Sequence, residues 1–451
     1  MTDWHSAAKA IGERAAAIGE RVYIVGGAVR NELLNLPTSD VDLASALTPA
    51  QVREVFCGEG VNVIPVAEEF GTMLLRVGEC KFEHTTFRKD SYTGHAHRPD
   101  EVLFTNAITE DAFRRDFTVN ALYRDSITGE LIDPTGGLAD LERRVLRTTR
   151  KNPDETLAED ALRMLRLVRF ACELGFSIDM ETANSVRRNV SGLREIAKER
   201  IYIEWKKMVL SDATYDLPRR LPPHGRALTL LTKLRLLPEL LPELAECANV
   251  PLTDSLDVKT YLEAAFAAGP PSLPLRMAAL LHGVCAPGLN GAPLANGYKL
   301  SAKMAKAALL RLGMPPKVCV RVQQLIENLS FGVTDQPTDA EVRRQLALWG
   351  EDFAEDIAAV HAAIAVAWPD VHGEAAKRFP IILKQMRDEN APFSENRLNV
   401  TGTDIAQELG LSPGQIIGRI KRELFLHCAV YPEDNERERL LDLAAAMREE
   451  L

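Results

Sequence analysis

Asp40 and Asp42 stand two residues apart, shortly after the paired glycines Gly26-Gly27 and the arginine Arg30. If Ser39 to Ala44 is extended, the two carboxylates leave one face of a strand side by side. Hard oxygen ligands so arranged can share a pair of divalent cations, which is what two-metal phosphoryl transfer requires. The glycines let the backbone approach a triphosphate and offer N–H donors, while Arg30 adds a charged one. Either group alone is ordinary: a strand-to-helix turn reads like the first, and a surface turn after Pro37-Thr38-Ser39 like the second. A third carboxylate, Glu83, lies in Lys81-Phe82-Glu83-His84-Thr85-Thr86-Phe87-Arg88. Alternation puts Glu83, Thr85 and Phe87 on one face, and a neighbouring strand can bring Glu83 beside the aspartates.

Downstream, Arg114-Arg115-Asp116-Phe117-Thr118-Val119-Asn120 gathers acid, base and amide groups of the kind a ribose and phosphate contact set needs. Asp160 and Arg163 are three residues apart on a predicted helix, so their side chains share a face. A carboxylate acceptor beside a guanidinium donor matches the edges of cytosine and adenine, whereas uracil and guanine would set a carbonyl oxygen against the carboxylate. Such a pair would accept CTP and ATP without a nucleic-acid template; standing alone it would be a common surface ion pair. Arg166 and Arg169 extend the row as a basic stripe facing triphosphate or RNA.

The elements that must position these groups are short at first and then helical. Arg21 to Val25 and Thr72 to Val77 are strand-like runs, and Lys81 to Phe87 follows a turn at Gly78, which predicts a hairpin. From about Pro153 the pattern is helical almost to the end. Leu157 to Leu174 stops at Gly175, a C-cap residue, and Thr182 to Val190 and Ile203 to Leu210 continue in the same manner. Asp133-Pro134-Thr135-Gly136-Gly137 is a turn by composition, linking head to neck. The expected architecture is α+β: an N-terminal mixed α/β head with a small sheet over residues 1–145, then an all-α neck (146–215), body (216–335) and tail (336–451).

With 451 residues and a net charge of −10, the chain is not broadly basic, but arginine is concentrated between Arg114 and Arg200, where a nucleic-acid surface would lie. The seven cysteines are widely spaced and form no C-x-x-C pair, so they read as reduced thiols and not as a disulfide or zinc framework. Neither a signal-peptide pattern nor an apolar run of membrane-spanning length is present, and a soluble cytoplasmic enzyme with no membrane partner is the expectation.

The run GGAVRNELLNLPTSDVDLAS, residues 26–45, resembles the nucleotidyltransferase motif of the class II tRNA CCA-adding enzymes and bacterial poly(A) polymerases. The resemblance continues in order through Glu83 with HTTFR, Arg114 to Ala121, Asp133 to Leu141, Glu159 to Arg163, and Glu199-Arg200-Ile201-Tyr202-Ile203-Glu204. It implies addition of CCA to tRNA 3′ ends from CTP and ATP, with Asp40 and Asp42 holding two Mg²⁺ ions and Glu83 assisting. It further implies nucleotide binding by Gly26, Gly27, Arg30, Arg115, Asp116, Asn120, Asp160, Arg163 and Arg166, with Glu159 orienting Arg163. Arg200 and Glu204 would brace the neck. The polar stretch Arg88 to Pro99 would be the flexible loop that switches the pocket from C to A addition, and Val400 to Ile405 with Leu411 to Gly418 the tRNA-binding tail.

Two positions depart from the family pattern: Asn31 replaces the usual aspartate and Asn35 the usual glycine. In Ala278-Ala279-Leu280-Leu281-His282-Gly283, a His-Asp phosphohydrolase-like segment has glycine where the aspartate would stand, so no second, metal-dependent phosphatase is expected. Poly(A) polymerase is the nearest rival reading. Those enzymes usually carry a basic Gly-Arg-Arg-Phe-like stretch after the first motif, and Asn62 to Thr72 has no basic residue. A catalytically inactive RNA-binding protein is the alternative from another class.

Overall fold

The computed structural model describes residues 3–38, 40–58, 60–91, 101–215, 217, 222–254, 256–285, 295–412 and 414–450. They form two compact units, Met1–Leu240 and Leu241–Leu451. In the first, helix α1 (Trp4–Ala16) leads into β1 (Val22–Val25), α2 (Gly27–Leu33), β2 (Val41–Ser45), α3 (Pro49–Phe56), β3 (Val61–Ala67), β4 (Thr72–Val77) and β5 (Cys80–Thr86). The hairpin β6 (Arg88–Ser91) and β7 (Glu101–Phe104), helix α4 (Ile108–Phe113), β8 (Tyr123–Asp125), β9 (Leu131–Ile132) and α5 (Gly137–Arg143) follow.

The main sheet has seven strands in the order β3-β4-β5-β2-β1-β8-β9, more than the three strand runs legible in the sequence. The predicted β4–β5 hairpin is present and antiparallel. Beside it, β2 runs parallel to β5, with Asp42 opposite Glu83. Following the register across the sheet, Tyr123, Val25, Asp42, Glu83 and Leu74 form one row on one face. On the other face Leu43 and Phe82 are fully buried, and α1 and α3 pack against the strands. Helix α3 is fixed at its start by a capping box between Thr48 and Gln51, with Pro49 at its first position. Of the stretch Arg88 to Pro99 expected to be a flexible loop, Arg88–Ser91 form β6, which pairs with β7 beyond it, while residues 92–99 lie outside the described residues.

The neck consists of α6 (Pro153–Glu159), α7 (Leu162–Leu174), α8 (Met180–Asn189) and α9 (Lys198–Val209), with α7 against α9 and α6 against α8. The predicted single helix from Leu157 to Leu174 is therefore two. It breaks at Asp160, which is extended (φ −151°, ψ 102°) and whose carboxylate accepts the Leu162 N–H at 3.1 Å. A short acidic side chain that bonds its own backbone competes with the helix and starts a new one. Gly175 ends α7 at φ +72°, as its position suggested.

The second unit is helical apart from a two-stranded ladder, Pro251–Thr253 with Leu256–Asp257. Helix Glu351–Ala367 packs against Val258–Ala268 and Pro369–Asp388, and Ala295–Arg311 against Pro316–Asn328. No helix among the described residues is long and apolar enough to cross a membrane. None of the seven cysteines is paired in a disulfide.

Candidate active site

Asp40 immediately precedes β2 and Asp42 is its second residue, so both leave the face of the sheet that Glu83 shares, while Ser39 lies outside the described residues. They open into a cavity of about 450 Å³ that Gly26, Gly27, Arg30, Arg115, Asp116 and Asn120 line from the head and Asp160, Arg163 and Arg166 from the neck. Arg114, Arg169 and Phe170 complete the wall. Glu83, opposite Asp42 on β5, stands beside this cavity without lining it. Gly26 sits at φ +74°, ψ −126°, a conformation that side chains other than hydrogen rarely adopt, and so carries the chain from β1 directly into α2 at the cavity's edge. Although Asp42 faces the cleft, poor hydration there, with the Glu83 and Asp40 charges, pushes its carboxyl up to about 6 against the pull of Arg115 and Arg166. Crowded carboxylates of this kind are short of positive charge, and their hard oxygens suit a divalent cation.

Six arginines would repel one another unless paired. Asp111, fully buried at the start of the wall, accepts from Arg114 (2.8 Å), Arg115 (3.1 Å) and the Tyr123 hydroxyl (2.6 Å). Burial alone would raise the Asp111 carboxyl, but the two guanidinium groups outweigh it and hold the group at about 2. Asp116 takes Arg166 at 2.9 Å on one oxygen and Asn120 at 3.1 Å on the other. Arg169 reaches Glu204 at 2.6 Å and Glu173 at 2.8 Å. The ring of Phe170 lies under three of them, 5.2 Å from Arg30, 5.3 Å from Arg166 and 4.0 Å from Arg169, where the electron-rich face attracts cations. Arg163 and Arg169 are buried and Arg166 half-buried, so the expected basic stripe is the inner wall of a cleft.

Asp160 and Arg163 do not pair across one helical face, because the helix breaks between them. Arg200 holds Asp160 at 2.6 Å. Arg163 donates to Glu159 (2.8 Å) and to the carbonyls of Thr156 (2.8 Å) and Arg114 (2.6 Å), the last joining neck to head. Arg163 keeps its Nε–H and one Nη2–H outside these bonds, and Asp160 still faces the cavity. Arg200 thus does more than brace the neck: it aims a cavity carboxylate.

Several groups of this site escaped the sequence reading. Asp111 had a signal, since it stands three and four residues before Arg114 and Arg115 on a helical turn. Phe170 looked like any core aromatic. Asn31, recognised only as a departure, accepts two N–H groups from Arg30, and Tyr215 reaches it from 184 residues away. Asn35 keeps the geometry of the glycine it replaces, at φ +54°, a region asparagine tolerates.

Paired strand carboxylates and an arginine wall, with residues of the following helices, thus line one cleft. Residues 22–147 match the family model described as the poly A polymerase head domain, and residues 175–247 match the probable RNA and SrmB-binding site of polymerase A. A CCA-adding enzyme of Lactiplantibacillus plantarum is 39% identical over 241 residues, covering 51% of this chain and 58% of the relative. One of Enterococcus faecalis is 43% identical over 194 residues, covering 43% and 46%. The chain thus matches about half the length of these curated relatives. The crystal structure of the Bacillus stearothermophilus CCA-adding enzyme in complex with CTP superposes with a TM-score of 0.71 at 25% identity, covering 100% of this chain and 98% of that one. Residues 22–147 and 175–247 are thus similar to the head domain and the RNA-binding segment of poly A polymerases, and the curated relatives that overlap them are CCA-adding enzymes.

Proposed function

We propose that this protein adds nucleotides to the 3′ end of tRNA in the cytoplasm, completing CCA from CTP and ATP. The observation that carries the reading is the single cavity in which Asp40 and Asp42 face six arginines, with the base-side groups Asp160 and Arg163 at its neck wall. Its volume falls in the ~300–1,000 Å³ range of small-molecule sites. Asp40 and Asp42 would hold Mg²⁺, a cation that takes one or two carboxylates and completes its shell with water and phosphate oxygens. Bound there, it would acidify the primer's 3′ hydroxyl and offset triphosphate charge. The chain's own part is positioning. Arg30, Arg115 and Arg166 bind phosphate oxygens, Asp116 and Asn120 orient the sugar side, and Glu83 accepts a proton or a hydrogen bond beside the hydroxyl. On the base, Asp160 accepts from the amino group of cytosine or adenine, and Arg163, steadied by Glu159, donates to the adjacent ring acceptor.

The names of the curated relatives support CCA addition over poly(A) synthesis, as does the absence of basic residues from Asn62 to Thr72. The test is primer extension on tRNA lacking its 3′ CCA, with CTP alone, ATP alone and both. Cytidine addition with CTP and full CCA with both are expected. Adenosine-only growth of a non-tRNA primer would point to poly(A) polymerase instead, and no incorporation at all would leave only an RNA-binding role.

A further inference from the structure

Among the described residues, five of the six cavity arginines hydrogen-bond a carboxylate: Arg114 and Arg115 to Asp111, Arg163 to Glu159, Arg166 to Asp116, and Arg169 to Glu173 and Glu204. Arg30 is different. It is 4% exposed, its Nε and Nη2 donate to the Asn31 Oδ1 at 3.1 and 2.8 Å, and its Nη1 donates to the Asn120 Oδ1. Every one of these partners is a neutral amide.

The amide of Asn31 has no freedom to turn. Its oxygen takes both guanidinium N–H groups, and its two Nδ2 hydrogens go to the Pro37 carbonyl and the Tyr215 hydroxyl, each at 2.9 Å. A carboxylate at position 31 would have no hydrogen for the Pro37 carbonyl and would face that oxygen unfavourably, and the Tyr215 hydroxyl, which also lies 3.3 Å from the Asn31 Oδ1, would have to turn to donate to it. Tyr215, which follows neck helix α9, also favours the charged form of Arg30. The charged neighbours that act on Arg30 from the packed elements are Glu173 and Arg169 on α7, of opposite sign. A buried guanidinium without a carboxylate partner is costly to hold and is relieved by an arriving anion.

We infer that Asn31 and Tyr215 are positioning residues that keep Arg30 in a neutral cradle, so that its full charge is available to the triphosphate and to the departing pyrophosphate. The inference rests on the nucleotidyl-transfer reading of the same cavity. It explains why asparagine stands at position 31: the amide supplies two hydrogens that aspartate lacks, and it leaves the guanidinium charge unneutralised.

The test uses the full-length protein, with steady-state incorporation, inhibition by pyrophosphate, and equilibrium binding of CTP and of cytidine. Asn31→Asp is expected to raise the KM for CTP and for ATP and the inhibition constant for pyrophosphate together, by about tenfold, as expected for loss of one charge-assisted contact. Cytidine binding stays unchanged and kcat falls less than KM rises. Tyr215→Phe removes one hydroxyl, is expected to fold, and should move the same constants about two- to threefold. The inference is overturned if either variant loses kcat while its pyrophosphate constant stays at the wild-type value, or if cytidine and CTP weaken equally. A wild-type protein that binds neither CTP nor pyrophosphate overturns the nucleotidyl-transfer reading itself. Wild-type binding that Asn31→Asp leaves untouched overturns only the cradle.

Discussion

Both units of this chain bury polar side chains, but they dispose of them in opposite ways. In the head and neck, arginines and carboxylates are paired along one rim and still face a cavity. In the second unit, His282, His361, His372, Tyr261 and Tyr298 are buried against one another. The His282 Nδ1–H donates to the Ala279 carbonyl at 2.8 Å, so its Nε2 can only accept from the Tyr261 hydroxyl. Tyr298 meets His372 at 2.9 Å, and His372 meets His361 at 2.9 Å through their Nδ1 atoms. Gly283 follows His282, where a Cβ would lie 3.2 Å from Leu262. Among the described residues no group of three His, Cys, Asp or Glu side chains could hold a metal ion by itself. Buried polarity becomes a site where donors and charge remain over and a cavity gives access to them; in this cluster the His361 Nε2 is left without a hydrogen-bond partner among the described residues, but it is buried with no charge beside it.

The largest effect that would break this contrast is at the strand carboxylates. Asp40→Asn combined with Asp42→Asn is expected to lower incorporation by about 10³-fold or more. Thermal stability should hold or rise, because a carboxyl pushed up to about 6 is one whose charge the fold disfavours. A variant that keeps its turnover, or that unfolds, removes the assignment. Next in size is base choice. Asp160→Ala should narrow the ratio of kcat/KM for CTP over UTP by about 10²-fold, the scale of one well-placed polar contact to a base edge. His282→Gln, in the closed cluster, should leave that ratio unchanged. Single-nucleotide incorporation with each of the four triphosphates measures both.

The local part of the site was legible from residue types alone. The glycine turn, Asp40-x-Asp42 and the Arg114 to Asn120 run each span only a few residues of chain, where period and turn chemistry speak directly, and all three reach the cavity. What could not be read required long-range pairing. The parallel register that sets Asp42 opposite Glu83 joins strands separated by α3 and a hairpin, and nothing in either strand encodes its neighbour. The break at Asp160 was hidden because apolar spacing continues smoothly from Leu157 to Leu174, while the decision lies with one side-chain bond to Leu162. Tyr215 carries no motif at all, and only the returning neck brings it to Asn31.

The smallest effect concerns the closed cluster, and it sharpens the contrast through acid. Burial pushes the His282 imidazole down to about 4 and His361 to about 3, with His372 also well below its usual value. These groups are neutral in the fold and charge only on unfolding, so between about pH 4 and 6.5 the unfolded state binds more protons. Stability is therefore full above 6.5 and falls as pH drops below it, by about 2 kcal/mol per histidine at pH 5. Urea unfolding between pH 7 and 4.5, followed through Trp368, whose ring lies 5.4 Å from Tyr261, should show that slope for the second unit. His361→Gln should lessen it by one proton's worth. An unchanged slope in the variant would mean that His361 is already charged in the fold, and that this cluster, like the cavity of the head, retains charge of its own.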